Sequence, residues 1–499
     1  MMFDNILKPL INNFKQNPNN IAFCIDEHFY TYHDLELEIL KIRSNLVDIK
    51  NRKLPFGLVV NDDLTTYASI LALWIEGCSY VPLHPKQPIQ RNKEIVEQAQ
   101  CEYILNSKED NFIFEQTLIL TNKLTQKQFD ETISEFNESD FVYILFTSGS
   151  TGKPKGVPIS RKNLTAFVKS FLEVGFKLTS EDRFLQSFDL TFDVSIQCFV
   201  IPLIFGASVY TIPHHVIKYS YVYGLLEEHK LTFATMPPSM INYLKPYFDE
   251  IDLPDLKYNI VTAEASTCNL IDSWSNCIPN AEIYNFYGPT EATIYCTYYK
   301  YEKNKPNAQI NGVLSIGKPM PGITAIIMDE NSHIITDSTK GEMYISGAQL
   351  TSGYLRDSEK NKDSFIALNY NGEKHVFYKT GDICYFENDT LLYLGRVDHQ
   401  VKIQGYRIEL SEIEYHARQI LENKNTIATV FQNENLTNEI ALFVEGEDIN
   451  EDFLKNELKN TLPNYMIPSR IIKEKEFPLN SNGKIDRKSL SLKLNQNKC

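Results

Sequence analysis

The sequence predicts an α/β protein with a large first domain and a smaller α+β domain at its C-terminal end. Strand-like and helix-like stretches alternate through the first part, which is typical of sheets covered by helices. An apolar run at Phe141–Phe146 leads directly into a glycine-rich loop. The character of the chain changes after Gly341 and again near Arg396–Asp398. With 499 residues the chain exceeds one compact core, and its length favours two to four domains.

The alternation begins close to the N-terminus. Ile21–Ile25 is a short apolar run, and the helical repeat that follows it is carried by Leu35, Ile39, Ile42 and Leu46. Leucine and isoleucine every three or four residues indicate one buried face of a helix. This unit therefore predicts a strand followed by a helix.

The same order recurs twice further along the chain. Leu58–Val60 precedes an apolar helical stretch at Tyr67–Trp74, and the fully apolar run Phe141–Phe146 indicates a buried parallel strand. Beyond the glycine-rich loop, Ser160 or Asn163 can cap a helix. The apolar face of that helix comprises Leu164, Phe167, Val168, Phe171 and Leu172.

The last hundred residues have their own pattern. Apolar runs at Thr426–Phe431 and Ile440–Val444 predict strands, Glu451–Leu462 predicts a charged helix, and a glycine-containing loop follows at Asn480–Asp486. A small α+β domain is expected there.

Composition excludes several classes of protein. The formal net charge of −15 argues against a nucleic-acid surface, which requires a basic face. No secretory signal is visible and there is no run of about 18 apolar residues, so no membrane span is expected. The nine cysteines form no CxxC pair and no Cys/His cluster. A cytoplasmic, monomeric protein without a disulfide framework or a zinc site is expected.

The loop that follows Phe146 is the strongest chemical signal. Glycines let backbone N–H groups approach phosphate oxygens, hydroxyls donate hydrogen bonds and lysines offset charge. The spacing is not that of a Walker A loop, and a flexible connection is the alternative. The residues predicted to bind phosphate are Thr147, Ser148, Gly149, Ser150, Thr151, Gly152, Lys153 and Lys155.

This loop and five later segments, in the same order, resemble the superfamily of acyl-CoA synthetases, firefly-type luciferases and amino-acid adenylation domains, the ANL superfamily. The five segments are Asn285–Glu291, Gly341–Gly347, Tyr378–Asp382, Gly395–Glu409 and Asn482–Arg487. The resemblance implies an N-terminal domain of packed α/β sheets and a distorted β-barrel, residues 1–397. It also implies a small mobile C-terminal domain, residues 398–499, with a hinge at Asp398.

The resemblance implies that the chain uses ATP and Mg²⁺. Asn285, Phe286 and Gly288 are assigned to the nucleotide site with Tyr287, which would stack on adenine. Thr290 would donate to the α-phosphate, and Glu291 would hold Mg²⁺. From this stretch alone, the alternative is a turn and a helix capped by Thr290.

Four further residues take roles from the resemblance. Asp382 would accept hydrogen bonds from the ribose hydroxyls, and Arg396 would also reach the ribose. Lys484 would bridge the substrate carboxylate and the α-phosphate, where a cation stabilises accumulating charge. Gly405 would leave room for a thiol arm.

Three segments resemble amino-acid activators in particular: Val81–Pro88 with Arg91, Phe192–Ser195, and the C-terminal pair Asn464–Pro468 and Asn482–Lys488. In the second of these, Asp193 would pair with the substrate ammonium. Phe188-Asp189 is a competing match. The partner implied is a separate carrier protein with a phosphopantetheine arm, as in D-alanine–carrier protein ligases and nonribosomal peptide synthesis.

The resemblance also implies a substrate pocket. No charged side chain except Asp193 lies among its residues, so a charged substrate side chain would be left unpaired. A small neutral amino acid is expected, with proline, alanine and serine open in either chirality. The assigned residues are Asp193, Val194, Gln197, Thr235, Ile260, Thr262, Ala263, Phe286, Ile294 and Tyr295.

Two alternatives keep the fold and change the function. One is an acyl- or aryl-CoA ligase, because the fold does not fix the substrate. The other is a catalytically silent interaction protein, against which Lys484, Glu291, Asp382 and the intact loop argue.

Overall fold

The computed structural model describes residues 6–49, 53–109, 114–133, 137–149, 152–213, 216–398, 400–422, 424–433, 437–446, 448–479 and 485–496. In these ranges no helix combines the length and the apolar character needed to cross a bilayer. The cysteines within the same ranges are all buried and form no disulfide.

The helices are α1 (Leu7–Gln16), α2 (Tyr32–Leu46), α3 (Leu64–Ile75), α4 (Ile89–Ala99), α5 (Arg161–Glu173), α6 (Asp193–Phe205), α7 (Lys218–Glu228), α8 (Pro238–Leu244), α9 (Cys268–Cys277), α10 (Ser358–Ser364), α11 (Leu410–Ile420), α12 (Glu451–Thr461) and α13 (Arg487–Gln496). Short 3₁₀ turns are Thr121–Lys123, Lys245–Tyr247, Thr290–Ala292 and Asn464–Met466.

The strands of the first half are β1 (Ile21–Ile25), β2 (His28–Thr31), β3 (Phe56–Val59), β4 (Tyr80–Leu83), β5 (Tyr103–Asn106), β6 (Thr117–Leu120), β7 (Phe141–Thr147), β8 (Lys155–Ser160), β9 (Arg183–Gln186), β10 (Ser208–Thr211), β11 (Phe233–Met236), β12 (Tyr258–Val261), β13 (Glu282–Tyr287) and β14 (Thr297–Lys300). Those of the second half are β15 (Gln309–Ile310), β16 (Val313–Leu314), β17 (Lys318–Pro319), β18 (Ile323–Met328), β19 (Ile334–Ile335), β20 (Gly341–Gly347), β21 (Phe365–Tyr370), β22 (Glu373–Glu387), β23 (Thr390–Arg396), β24 (Gln400–Ile403), β25 (Tyr406–Glu409), β26 (Thr426–Gln432), β27 (Asn438–Glu445) and β28 (Arg470–Glu474).

The chain divides into two compact units. The first comprises residues 1–85, 96–145 and 156–397, and the second comprises 86–95, 146–155 and 398–499. The second unit therefore includes the glycine-rich loop together with the C-terminal residues.

The first unit contains a nine-stranded sheet in the order β17-β14-β13-β12-β11-β9-β10-β1-β2. Its central strands β13, β12, β11, β9, β10 and β1 run parallel. Because the carboxyl ends of parallel strands share one edge, residues that follow β9, β11, β12 and β13 come together there. The predicted substrate residues follow or end these strands.

A six-stranded sheet in the order β6-β5-β3-β4-β7-β8 carries the predicted phosphate loop between β7 and β8. Helices α3, α5 and α6 pack into the same core as strands of both sheets. Helix α5 begins with a capping box between Ser160 and Asn163, which confirms the predicted start. Helix α6 is buried from Asp193 to Ile204 and ends at Gly206 in the left-handed conformation.

A third sheet of the first unit is antiparallel and has six strands, with the path β19-β18-β20-β22-β21 and β23 paired to β22. This half-barrel corresponds to the distorted barrel that the resemblance implies. Strand β22 is unusually long at 15 residues and contains Asp382, and Arg396 ends β23. The register places Asp382 directly opposite Arg396.

The second unit has α+β architecture. Strands β26 and β27 pair antiparallel and β27 and β28 parallel, and β24 with β25 forms a separate hairpin. One apolar core joins α11 and α12 to this sheet, and another includes Leu490 and Leu494 of α13. The predicted strands at Thr426–Phe431 and Ile440–Val444 and the charged helix near Glu451 are confirmed.

Candidate functional site

The predicted phosphate loop contacts one carboxylate and two backbone groups within the second unit. The Gly149 N–H donates to Glu412 Oε2 at 3.1 Å. The Ser148 hydroxyl donates to the carbonyl oxygen of Arg407 at 3.0 Å and accepts from the Glu409 N–H at 3.1 Å. A loop donor that the sequence assigns to a phosphate oxygen thus binds a side-chain anion in this structure.

Glu412 is fully buried and is paired on its other side. Arg91 Nη1 lies 2.7 Å from Glu412 Oε1, and the Arg91 side chain is itself buried. Lys155 Nζ lies 3.8 Å from Glu409 Oε1. Glu412 thus joins Arg91 to the Gly149 N–H, and the second pair involves Lys155 of the loop itself.

Two glycines of the loop are required by space and by conformation. A Cβ on Gly149 would lie 2.0 Å from the Lys153 carbonyl oxygen. Gly152 has φ +82°, and a Cβ there would meet the Tyr415 ring at 2.3 Å.

The other predicted loop residues lie in different environments. The Thr147 hydroxyl is buried without a partner in the described part of the chain, and Lys153 is exposed. Ser150 and Thr151 lie outside the described residues.

The structure brings three predicted nucleotide residues together in the first unit. The Tyr287 hydroxyl donates to Asp382 Oδ2, and Arg396 Nη1 donates to Asp382 Oδ1 at 2.9 Å. Burial first, and then the neighbouring Asp382 carboxylate, raise the pKa of Tyr287 well above its ordinary value. The Asp382 carboxylate is 3% exposed, so its orientation is fixed by these two donors.

Neighbouring residues of the same segment serve the fold. Asn285 accepts from the Ser266 hydroxyl at 3.1 Å and donates to the Ser315 carbonyl oxygen at 2.8 Å. A Cβ on Gly288 would lie 2.5 Å from the Ile294 carbonyl oxygen, so only glycine fits. The 3₁₀ turn begins at Thr290 after Pro289 without a side-chain cap, so the alternative of Thr290 as a helix cap is wrong.

Glu291 is completely buried and is held by a tyrosine that the sequence did not predict. The Tyr354 hydroxyl donates to Glu291 Oε1 at 2.7 Å and lies 3.3 Å from the Tyr378 hydroxyl. The Asn361 side chain fixes the Tyr354 backbone with two hydrogen bonds. The Tyr354 N–H donates to Asn361 Oδ1 at 2.6 Å, and Asn361 Nδ2 donates to the Tyr354 carbonyl oxygen at 3.0 Å. The carboxylate therefore has a defined orientation.

Asp193 is the first residue of α6 and is 8% exposed. Val194 and Gln197 belong to the same helix and are also buried. Asp193 and Gln197 are four residues apart and so lie on one face of the helix. A negative charge at a helix N-terminus is favoured by the helix dipole.

The remaining predicted pocket residues come from neighbouring strand ends. Thr235 and Ile260 are direct register partners in β11 and β12. Thr262 follows β12, with its N–H bound to the Met236 carbonyl oxygen at 3.3 Å, and Ala263 has φ +69°. The Thr235 hydroxyl donates to Gln197 Oε1 at 3.1 Å, which joins the strand end to α6.

Phe286 and Tyr295 are the aromatic residues of this cluster. The Phe286 and Tyr295 rings lie 4.9 Å apart, and Ile294, with φ +75°, precedes Tyr295. Burial first, and then Cys198 and Asp193, raise the pKa of Tyr295 well above its ordinary value, with Thr262 acting in the opposite direction. Phe286, Ile294 and Tyr295 are each at most 1% exposed.

The competing residue Asp189 has a different environment. His84 Nε2 lies 2.8 Å from Asp189 Oδ2. The Thr191 hydroxyl and the Thr191 N–H both donate to Asp189 Oδ1. Burial alone would raise the pKa of Asp189, but the charge and hydrogen bond of His84, together with Thr191, lower it. These contacts involve Asp189 in a structural ion pair.

The last segment of the second unit begins at Asp398, whose carboxylate accepts from the Gln400 N–H at 3.1 Å. Gln404 and Gly405 both have positive φ, which fits a type I′ turn between β24 and β25. The hinge at Asp398 and the thiol path at Gly405 stay predictions. Lys484 lies outside the described residues.

Sequence reasoning missed Tyr354, Glu409 and Glu412 as members of these clusters. Each acts through a contact with a residue far away along the chain, and no local spacing indicates it. Arg91 was predicted only as part of a motif and not as the partner of Glu412.

The chain matches a known protein family over more than half of its length. The profile of a family described as "AMP-binding enzyme" matches residues 10–355. The D-alanine--D-alanyl carrier protein ligase of Bacillus licheniformis is 30% identical over 492 residues, which cover 95% of this chain and 96% of the relative. Gramicidin S synthase 1 of Brevibacillus brevis is 28% identical over 497 residues, which cover 95% of this chain. The chain spans only 43% of that longer protein.

Among solved structures, the Vibrio cholerae adenylation domain AlmE, crystallised with glycyl-adenosine-5'-phosphate, superposes with a TM-score of 0.85. The two sequences are 24% identical, and the match covers 99% of this chain and 98% of that one. This likeness shows the fold.

Proposed function

The chain belongs to the family of AMP-binding enzymes and is an AMP-forming ligase, and from this premise we propose that it activates a small neutral amino acid. The amino acid would be joined to ATP as aminoacyl-AMP. It would then pass to the phosphopantetheine thiol of a separate carrier protein. The relative from Bacillus licheniformis, a carrier protein ligase matched over nearly its whole length, supports this reading.

One observation carries the choice of an amino acid over other carboxylic acids. Asp193 is a buried carboxylate at the start of α6, and the other residues of the cluster are neutral. A substrate α-ammonium can form a charge-assisted hydrogen bond with such a carboxylate. A fatty or aryl acid carries no group that could replace it.

The proposed reaction has two steps. A carboxylate oxygen of the amino acid attacks the α-phosphorus, the bond to the bridging oxygen breaks, and pyrophosphate leaves. The carrier thiol then loses its proton to solvent, its sulfur attacks the acyl carbon, the bond between that carbon and the phosphate oxygen breaks, and AMP leaves. Both anionic partners of the first step need cations near the α-phosphate. We assign this role to Lys484, with Thr290 as a donor and Asp382 and Arg396 at the ribose.

Mg²⁺ fits the residues present. Glu291 offers a buried carboxylate with one oxygen held by Tyr354, and nucleotide-bound Mg²⁺ commonly takes one or two carboxylates besides phosphates and waters. When bound, the ion would offset charge on the phosphate oxygens. Glu291 would hold it, and Tyr354 would keep Glu291 in position.

The test is amino-acid-dependent exchange between ATP and pyrophosphate. A panel should contain amino acids of both chiralities, fatty acids and aryl acids. We expect exchange with small neutral amino acids. Exchange driven only by fatty or aryl acids would reject the proposal in favour of an acyl- or aryl-CoA ligase.

A pair of variants tests the role of Asp193. Loss of one partner of a buried charge pair costs about 2–5 kcal/mol, so Asp193→Asn should lower kcat/KM for the amino acid by roughly 30-fold or more. Asp189→Asn is the matched control, since Asp189 is engaged by His84. An equal loss in both variants would contradict the assignment.

A further inference from the structure

Several buried polar groups near Asp193 have no hydrogen-bond partner in the described part of the chain, among them Gln197 Nε2 and the hydroxyls of Tyr295 and Tyr143. Gln197 and Tyr295 belong to the predicted pocket, and both side chains are fully buried. More than nine in ten buried polar groups in proteins are paired. Unpaired buried donors at a binding site indicate that a ligand supplies the acceptor.

The orientation of Gln197 is set by its neighbours. Its Oε1 accepts from the Thr235 hydroxyl at 3.1 Å and from the Cys198 thiol at 3.6 Å. With two donors on the oxygen, the amide nitrogen points away from them and presents two N–H groups. Gln197 lies one helical turn after Asp193, so these groups and the carboxylate belong to the same helix face.

The Tyr295 hydroxyl is held near the same place. Its ring packs against Phe286 at 4.9 Å and Phe167 at 6.0 Å, and its carbonyl oxygen accepts from Gln349 Nε2 at 2.7 Å. Cys198 and Asp193 are the charged or ionisable groups that act on this hydroxyl. The Cys198 thiol also contacts the Gln197 amide, which places the hydroxyl and the amide in one neighbourhood.

We propose that the substrate is a β-hydroxy amino acid of the serine or threonine type, whose side-chain oxygen accepts from Gln197 Nε2 and the Tyr295 hydroxyl. This inference rests on the proposed function, because the ammonium bound to Asp193 directs the side chain to these groups. Alanine or proline would leave both donors unpaired. The Phe286 and Tyr295 rings exclude long side chains, and Asp193 repels an acidic one.

A site built to hydrogen-bond a substrate hydroxyl discriminates strongly against the analogue that lacks it, and the ratio of the two kcat/KM values can reach about 10⁴ to 10⁵. We expect wild-type kcat/KM in pyrophosphate exchange to be at least ~10²-fold higher for serine or threonine than for alanine, in the preferred chirality. Better exchange with any amino acid that lacks a β-hydroxyl would overturn the inference. Exchange with fatty or aryl acids alone would instead reject the proposed function itself.

Variants assign the preference to the two groups. Gln197→Leu and Tyr295→Phe remove the donors with little change in volume, and each should lower the serine-to-alanine ratio at least ~10-fold. Tyr80→Phe is the matched control, because the Tyr80 hydroxyl is also buried without a partner in the described ranges but is not among the groups that act on Tyr295. An unchanged ratio in both Gln197→Leu and Tyr295→Phe would overturn the assignment. The ratio is measured within one variant, so it is independent of how much folded enzyme each preparation contains.

Discussion

Replacing Tyr354 with phenylalanine should weaken both the fold and the use of Mg²⁺. The change removes one hydroxyl, which donates to the buried Glu291 carboxylate at 2.7 Å. The ring should stay in place, because Asn361 holds the backbone on both sides and Phe365 packs edge-on at 5.7 Å. The variant therefore isolates one charge-assisted hydrogen bond.

The size of the effect on stability follows from the charge of the acceptor. A hydrogen bond to a charged group contributes about 1.5–3 kcal/mol to the free energy of unfolding, and one between neutral groups about 0.5–1.5 kcal/mol. Tyr32→Phe is the matched control, since the buried Tyr32 hydroxyl donates to the Ala207 carbonyl oxygen, also at 2.7 Å. Urea unfolding should show Tyr354→Phe to be the more destabilised variant by about 1 kcal/mol.

The functional effect is measured separately. Groups that orient a metal-binding carboxylate typically contribute 10- to 100-fold in metal affinity or activity, so the Mg²⁺ concentration for half-maximal exchange should rise about 10-fold or more in Tyr354→Phe. Tyr32→Phe should not change it. If the two variants show the same stability and the same Mg²⁺ dependence, Tyr354 does not position Glu291.

Two further predictions concern charge. Lys484→Ala should lower adenylate formation at least ~10²-fold in pyrophosphate exchange while the exposed control Lys475→Ala retains activity, and unchanged adenylation in Lys484→Ala would remove the proposed role. Because the folded-state pKa of Asp189 is lowered by His84, the pair contributes stability that is present above the ordinary carboxyl pKa of about 4 and is lost as the pH falls through the folded value. Wild type should thus lose more unfolding free energy than Asp189→Asn between about pH 5 and pH 2, and equal losses would contradict the linkage.

Much of the fold could be predicted because it depends on local pattern. The apolar run at Phe141, the helical face after Ser160 and the strands near Thr426 and Ile440 each carry their own periodicity. Such signals need no knowledge of the rest of the chain.

The candidate site could be predicted only in part. Tyr287, Asp382 and Arg396, which the resemblance assigns to one nucleotide site, lie in contact. Their contacts with each other could not be predicted, since Tyr287 and Asp382 are 95 positions apart. The same holds for Tyr354 and Glu291, which are separated by 63 positions. Side-chain pairs of this kind depend on how sheets pack, and no spacing along the chain encodes them.

If Gly149 binds phosphate, as the sequence predicts, its contact with Glu412 limits how strongly the protein can hold a nucleotide. One N–H group cannot serve two anions fully, so a phosphate that takes the Gly149 donor must release Glu412. The measured affinity for ATP would then be the intrinsic affinity reduced by the free energy of that release. By linkage, any ligand or substitution that favours the bond to Glu412 weakens nucleotide binding by the same factor. The apparent ATP affinity thus becomes a readout of the free energy of this one contact.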